Sequence, residues 1–302
     1  MTILLVGGTG LLGGEIAAVL TERGERLRAL VRSGHGVARL RSLGVELEPG
    51  DMRDQRALRR ALRGVRAVIT TAQGSPFSRD LSYAKVDGGG NRALITAAGA
   101  ARVERFVFVS ALKADQAAGV PQLEAKHAAE LQIRASGMGY TILRPSSFQE
   151  TFGDGFAPFK RFVDRFRVGL LPAGGRAPHS FVAAADVARA VAIALDHPAA
   201  RDQVVEVGGP EDLSYREAYR RIARITGRRI HQVPLPRALL AASGALATPV
   251  LPELSALFAL FAFQERAGYT CVTPEWLVAA LESRRSFEEG ARAMYRAAGG
   301  RS

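Results

Sequence analysis

Cysteine is almost absent from this 302-residue chain. Cys271 stands alone, so no disulfide can form within it, and no His or Cys spacing suggests a metal site. A reducing cytoplasm is the expected home. Residues 1–6 run straight into a strand-like segment, without the basic start and cleavage site of a signal peptide. Lysine is nearly as scarce: of 41 basic residues only Lys85, Lys113, Lys126 and Lys160 are lysines. The formal charge of +12 would attract a phosphate polymer. The arginines, however, are interleaved with Asp and Glu along the whole chain and do not alternate with aromatics as in a single-strand groove. The densest group, Arg56, Arg59, Arg60, Arg63 and Arg66, falls at helical spacing opposite Leu58 and Leu62 and reads as a solvated helix face. Nucleic acid is not expected as a partner. No G-x-S-x-G elbow or carboxylate pair points to hydrolysis.

Uninterrupted apolar runs are also missing. Between residues 238 and 263 the only charge is Glu253, but Pro249, Pro252 and Glu253 split the stretch into pieces too short to span a bilayer. Two apolar helices packed as a lid or a homodimer surface are expected, with peripheral membrane contact the lesser alternative.

What the chain has is rhythm. Short β-branched runs at 3–6, 27–31, 45–48, 67–71, 105–109 and 140–143 alternate with amphipathic runs at 11–23, 37–43, 55–62, 81–100 and 123–136. Strands separated by helices pair only through crossovers, which demands a parallel sheet covered on both faces. The expected class is α/β, a doubly wound Rossmann sheet over residues 1–145. A smaller, partly interleaved substrate lobe is expected over 146–302. Gly, Pro, Phe and Arg crowd residues 146–181, which suits a substrate-facing insertion. A helix at 186–195, a strand at 203–207 and a helix at 215–226 follow.

The first strand ends in Gly7-Gly8-Thr9-Gly10-Leu11-Leu12-Gly13. Gly8, Gly10 and Gly13 give G-x-G-x-x-G; Gly7, Gly10 and Gly13 give G-x-x-G-x-x-G. A pyrophosphate can reach the backbone only where no Cβ intervenes, and the helix N-terminus adds free N–H groups and a positive dipole end. Strand, turn and helix in this order point to a dinucleotide. After the second strand, where an acid would grip the ribose of NAD, stands Arg32. A guanidinium there can pair with a 2′-phosphate, so NADP(H) is preferred over NAD(H). Asp51 and Met52 follow the third strand, at the edge where an adenine would lie, and Asp54 is placed to cap the next helix.

These residues resemble the atypical, NmrA-like branch of the short-chain dehydrogenase/reductase superfamily. The resemblance extends over the GGTGLLGG turn, Val31-Arg32, Gly50-Asp51, Val86-Asp87 with Asn91, residues 106–111, Ser136-Gly137, residues 140–145, residues 186–188 and residues 208–210. It implies NAD(P) binding and either hydride transfer to a small acceptor, quinone-like or otherwise conjugated, or a cofactor-sensing role without turnover. Ser110 matches the superfamily's catalytic Ser and Lys126 its lysine; the resemblance would have Ser110 polarise an acceptor oxygen or touch the nicotinamide. Gln122 stands where the Tyr should be, so the usual general acid is lost. The resemblance also implies that Ala72, Gln73 and Gly74 pass beneath the cofactor ribose, Lys126 bonds the nicotinamide ribose, and Pro145 and Phe148 border the nicotinamide. His127, Tyr83 and Tyr140 are expected as surface or packing groups, and reaching a substrate is only the lesser reading of His179, in the irregular insertion near Phe181.

Overall fold

Five consecutive buried residues form β1 (Thr2–Val6), and every other strand of the main sheet is laid out from it. The computed structural model describes residues 2–32, 34, 36–75, 80–153, 159–235 and 252–296. To β1 are added β2 (Arg26–Val31), β3 (Glu46–Pro49), β4 (Val65–Thr70), β5 (Arg105–Val109), β6 (Gly139–Pro145) and, after the short β7 (Val168–Pro172), β8 (Gln203–Val207). Their order is β3-β2-β1-β4-β5-β6-β8, and all pairings are parallel. Strand order reverses between β1 and β4, so a crevice opens at their carboxyl ends, the place where such sheets take ligands. A second, two-stranded parallel sheet pairs β7 with β9 (His231–Leu235).

One face of the sheet carries α1 (Leu11–Glu22), α2 (Val37–Ser42) and α7 (Ala184–Asp196), packed over Ile3, Leu5, Ile69 and Val107. The other carries α3 (Gln55–Ala61), α4 (Asn91–Ala100) and α5 (Pro121–Arg134), over Leu4, Val68, Phe106 and Phe108. Ala17 on α1 and Ala184, Ala188 and Ala192 on α7 belong to the core these two helices share. The forecast strands and helices of the first half are present with ends shifted by a few residues. The stretch forecast as one helix over 81–100 differs: it opens as a π-helical turn, Ala84–Gly90, before α4 continues regularly. Gly88, Gly89 and Gly90 give that turn its backbone latitude. Asp54 caps α3 as expected, its carboxylate accepting from Arg56 N–H, and Arg56, Arg59, Arg60 and Arg63 lie exposed beside buried Leu58.

Further elements are α6 (Phe159–Phe166), α8 (Tyr215–Thr226), α9 (Pro252–Ala267), α10 (Glu275–Leu281) and α11 (Phe287–Arg296). Around β7, α6, α8 and α11 enclose an aromatic cluster centred on Phe152, whose ring meets Phe181, Tyr219 and Phe287 edge-on at 5.2–5.4 Å between centroids. Of the apolar stretch forecast as two helices over 238–263, residues 238–251 lie outside the described residues, and 252–263 belong to α9. That helix packs Phe263 and Leu260 toward Leu112, Val120 and Leu123, and Lys113 Nζ caps its C-terminus through the carbonyls of Ala267 and Gly268. Among the described residues no helix is long and apolar enough to cross a membrane. Phe152→Ala is expected to lower unfolding free energy by about 3–5 kcal/mol, seen as a lower urea midpoint at unchanged slope.

Candidate functional site

The crevice at the carboxyl ends of β1 and β4 is a cleft of about 550 Å³. Its floor is the turn between β1 and α1. Gly7 holds φ +88°, and a Cβ there would lie 2.8 Å from the backbone nitrogen of Ala72; a Cβ on Gly13 would lie 2.2 Å from the Gly7 carbonyl oxygen. Only glycine lets the turn fold this tightly. Gly10 is the N-cap of α1 and brings no side chain to it, so the first amides of a 12-residue helix are left for whatever enters the cleft.

Thr9, Gly10, Leu11, Leu12 and Gly13 line this end of the cleft with Gly7, and Arg32, Asp51 and Met52 line the side toward β2 and β3. Ala72, Gln73 and Gly74 form the opposite wall, while Ser110, Lys126 and Phe148 close the far end. Two of the forecast residues stand apart. Gly8 is buried against Leu5, and Pro145 is buried at the end of β6, its carbonyl accepting from Leu112 N–H. Arg53, which the sequence reading passed over, also lines the cleft. It grips both oxygens of Asp51 at 2.8–2.9 Å and reaches Asp80 at 3.2 Å, tying the loop after β3 to the one after β4. The hydrogen bonds from Arg53, with the fields of Arg53 and Arg32, hold the Asp51 carboxyl below its ordinary range.

Two buried ion pairs underlie the far end. Lys126 is 4% exposed rather than a surface lysine. Its Nζ lies 3.3 Å from Asp87 Oδ1, and Asp87 Oδ2 accepts from Gly74 N–H at 2.7 Å. Burial pushes the Asp87 carboxyl up, opposed by the ammonium of Lys126 and the amide of Gly74. One turn further along α5, Glu130 accepts from Arg144 Nε and its terminal nitrogen at 3.0 and 2.6 Å, and Ser110 donates to Glu130 Oε1 at 2.5 Å. Burial works against the Arg144 charge, but Glu130 and Asp115 more than offset this and hold the guanidinium above its usual pKa. Asp87 and Glu130 escaped the sequence reading as polar partners. The i,i+4 spacing of Lys126 and Glu130, which puts both on one helix face, was the available signal.

Gln122, at the position of the missing Tyr, does not face the cleft. Its amide donates to the Ala256 carbonyl of α9 at 2.9 Å. His127 is partly exposed, 3.4 Å from Glu130, and Tyr83 is buried. His179 follows the larger of its two readings and takes no part in the cleft. It lies 1% exposed within the aromatic cluster, stacked on Phe181 and bonded to Ser147 at 2.8 Å, and does not line the cleft. The insertion folds it inward because its ring completes an apolar wall. Among the described residues no group of His, Cys, Asp and Glu is arranged to hold a metal.

Sheet order, glycine turn and cleft together define a doubly wound protein of the NAD(P)-binding class. The chain belongs to the NmrA-like family, whose model matches residues 1–289. It is 30% identical over 233 residues to an NAD(P)H azoreductase of Xenophilus azovorans, covering 77% of each chain. It is 28% identical over 238 residues to the photosystem II assembly factor Ycf39 of Trieres chinensis, covering 78% of this chain and 73% of that one. In three dimensions it is similar to an NADPH-dependent quinone oxidoreductase of Escherichia coli solved with NADPH, with TM-score 0.77, 22% identity and 97% and 99% of the two chains covered.

Burial pushes the pKa of His179 down from 6.5 to about 3. As the pH falls below 6.5 the unfolded chain gains a proton that the folded chain refuses. Folding stability should therefore fall by about 1.4 kcal/mol per pH unit toward pH 3. His179→Asn, which can keep a bond to Ser147, should flatten that slope in denaturation midpoints measured between pH 7 and 4.

Proposed function

We propose that this protein is an NADPH-dependent oxidoreductase that passes a hydride to a quinone-like or other small conjugated acceptor. The observation that carries this reading is the continuity of one cleft. It runs from an uncapped helix N-terminus suited to a pyrophosphate, past Arg32, to a far end furnished with Ser110, Lys126 and Phe148. The residues fit a nicotinamide dinucleotide: added Cβ atoms would fill the turn that has to admit its phosphates, and the loop after β3 supplies Asp51 and Met52 for an adenine. Relatives whose names record reduction of azo compounds and quinones support the same chemistry.

A bound reduced nicotinamide supplies the hydride. The chain's own part is to hold and orient. The amides of the turn and of α1 take the phosphates, and Arg32 takes a 2′-phosphate. Lys126, fixed by Asp87, offers N–H donors to ribose hydroxyls, and Phe148 walls the far end. With Gln122 bonded to α9, no phenol stands ready to protonate an alkoxide. The acceptor that suits this site is one whose reduced form is a stabilised anion, such as a phenolate, which takes its proton from water.

A second reading is an NADP(H)-binding sensor or scaffold without turnover. The inward bond of Gln122 and the assembly-factor relatives favour it. Stopped-flow loss of NADPH absorbance against a panel of quinones separates the two. Oxidation that saturates with at least one quinone is expected; tight NADPH binding with no oxidation by any acceptor would establish the sensor instead. For the coenzyme, Arg32→Ala should weaken NADPH binding by about tenfold or more, since a charge-assisted pair is lost, and leave NADH within about twofold. Titration calorimetry with both coenzymes measures this.

A further inference from the structure

Ser110 follows the last residue of β5 and lines the cleft, with its proton already committed. Glu130 lies 2% exposed, gripped from one side by two nitrogens of Arg144, and a carboxylate held this way has only lone pairs to offer. In the 2.5 Å contact between Ser110 Oγ and Glu130 Oε1 the proton therefore belongs to the serine and points away from the cleft. What Ser110 presents to the cleft is lone pairs. A carbonyl or quinone oxygen arriving there would meet another acceptor, whereas a group that brings its own N–H would be bound.

We propose that Glu130, backed by Arg144, fixes Ser110 as a hydrogen-bond acceptor that reads the carboxamide N–H₂ of the nicotinamide. Ser110 then sets the orientation of the cofactor ring and does not polarise the hydride acceptor. Glu130 and Arg144 are positioning residues, acting through Ser110. Two features of the fold make the arrangement durable. Glu130 shares a helix face with Lys126, so the helix that carries the ribose-binding ammonium also carries the group that aims the serine. Arg144 lies on β6, the strand next to β5, and is held on its far side by Asp115 at 3.0 Å. The ordinary assignment of this serine, donating its proton to a substrate oxygen, would require breaking a short bond to a buried carboxylate.

This inference rests on the nicotinamide reading of the cleft, and its test uses binding alone. Affinities of the full-length protein are measured by calorimetry for NADP⁺ and for its 3-acetylpyridine analogue, in which a methyl ketone replaces the amide and its N–H₂. The thionicotinamide analogue, which keeps the N–H₂, serves as control. Wild type is expected to bind NADP⁺ and the thio analogue about tenfold more tightly than the acetylpyridine analogue, the worth of one well-placed hydrogen bond. In Ser110→Ala that ratio should collapse to within about twofold, with affinity for the acetylpyridine analogue unchanged, since only the deleted bond is lost. Glu130→Leu removes the acceptor of the Ser110 proton, frees the hydroxyl to turn and should also shrink the ratio. The double variant Glu130→Leu/Arg144→Met removes both buried charges together and tests the same point if the single variant, with Arg144 left unpaired, fails to fold. A merely structural role for Glu130 would weaken all three coenzymes alike and leave the ratio standing. A full ratio in Ser110→Ala, or in whichever of the two positioning variants folds, overturns the inference. Equal binding of all three coenzymes by wild type overturns it while leaving the proposed function intact. No binding of any of them overturns the proposed function itself.

Discussion

The structure turns on one close approach: Gly13, in the first turn of α1, comes so near the carbonyl of Gly7 that no β-carbon fits between them. That contact bends the chain from β1 directly into α1 and aims the helix axis at the crevice where strand order reverses. Amides that would otherwise need a capping side chain are left to an anion. Everything beyond this point is built at a distance fixed by it. Arg32 sits one strand away on the β2 side, the wall of Ala72 to Gly74 one strand away on the β4 side, and Ser110 one strand further at the end of β5. The walls of the cleft thus stand at successive strand spacings.

Against this amide-lined half, whose charged groups stand at the open rim, stands a second half organised by buried charge. Two charges of opposite sign, Lys126 and Glu130, leave α5 one turn apart and are each met by a buried partner from another element. Such pairs cost desolvation and add little net stability, and breaking one is expensive. They hold polar atoms where an aliphatic core would let them drift. Asp87 adds a further link, since the same carboxylate that meets Lys126 also binds the Gly74 amide and so couples α5 to the cleft wall.

Much of this was legible in the sequence because it is local. The glycine turn, the alternation of strands and helices, Arg32 at the end of β2 and the Asp54 cap all follow from residues within a few positions of one another. What was not legible is long-range. Nothing near Gln122 announces that its amide will reach across to Ala256, 134 residues on. Glu130 reads as an ordinary helix glutamate until β6 brings Arg144 against it. Arg53 looks like one more surface arginine until the loop carrying Asp80 folds beside it. The partners of His179 were not legible either, since Phe181 and Tyr215 meet its ring only once the insertion has folded. The π-helical opening before α4 escaped because helical periodicity is blind to one extra residue per turn.

The back wall of the glycine turn is not made by the half of the chain that contains it. Ile16 and Leu20 of α1 belong to the same core as Val187, Val191 and Leu195 of α7, and that core also takes in Ala17 of α1 and Ala184, Ala188 and Ala192 of α7. A chain ended after β6 would leave that side of α1 bare to water. The nucleotide-binding half is thus no detachable cassette. A methyl group added on the alanine seam, far from any phosphate, would be felt at the turn as a displaced helix.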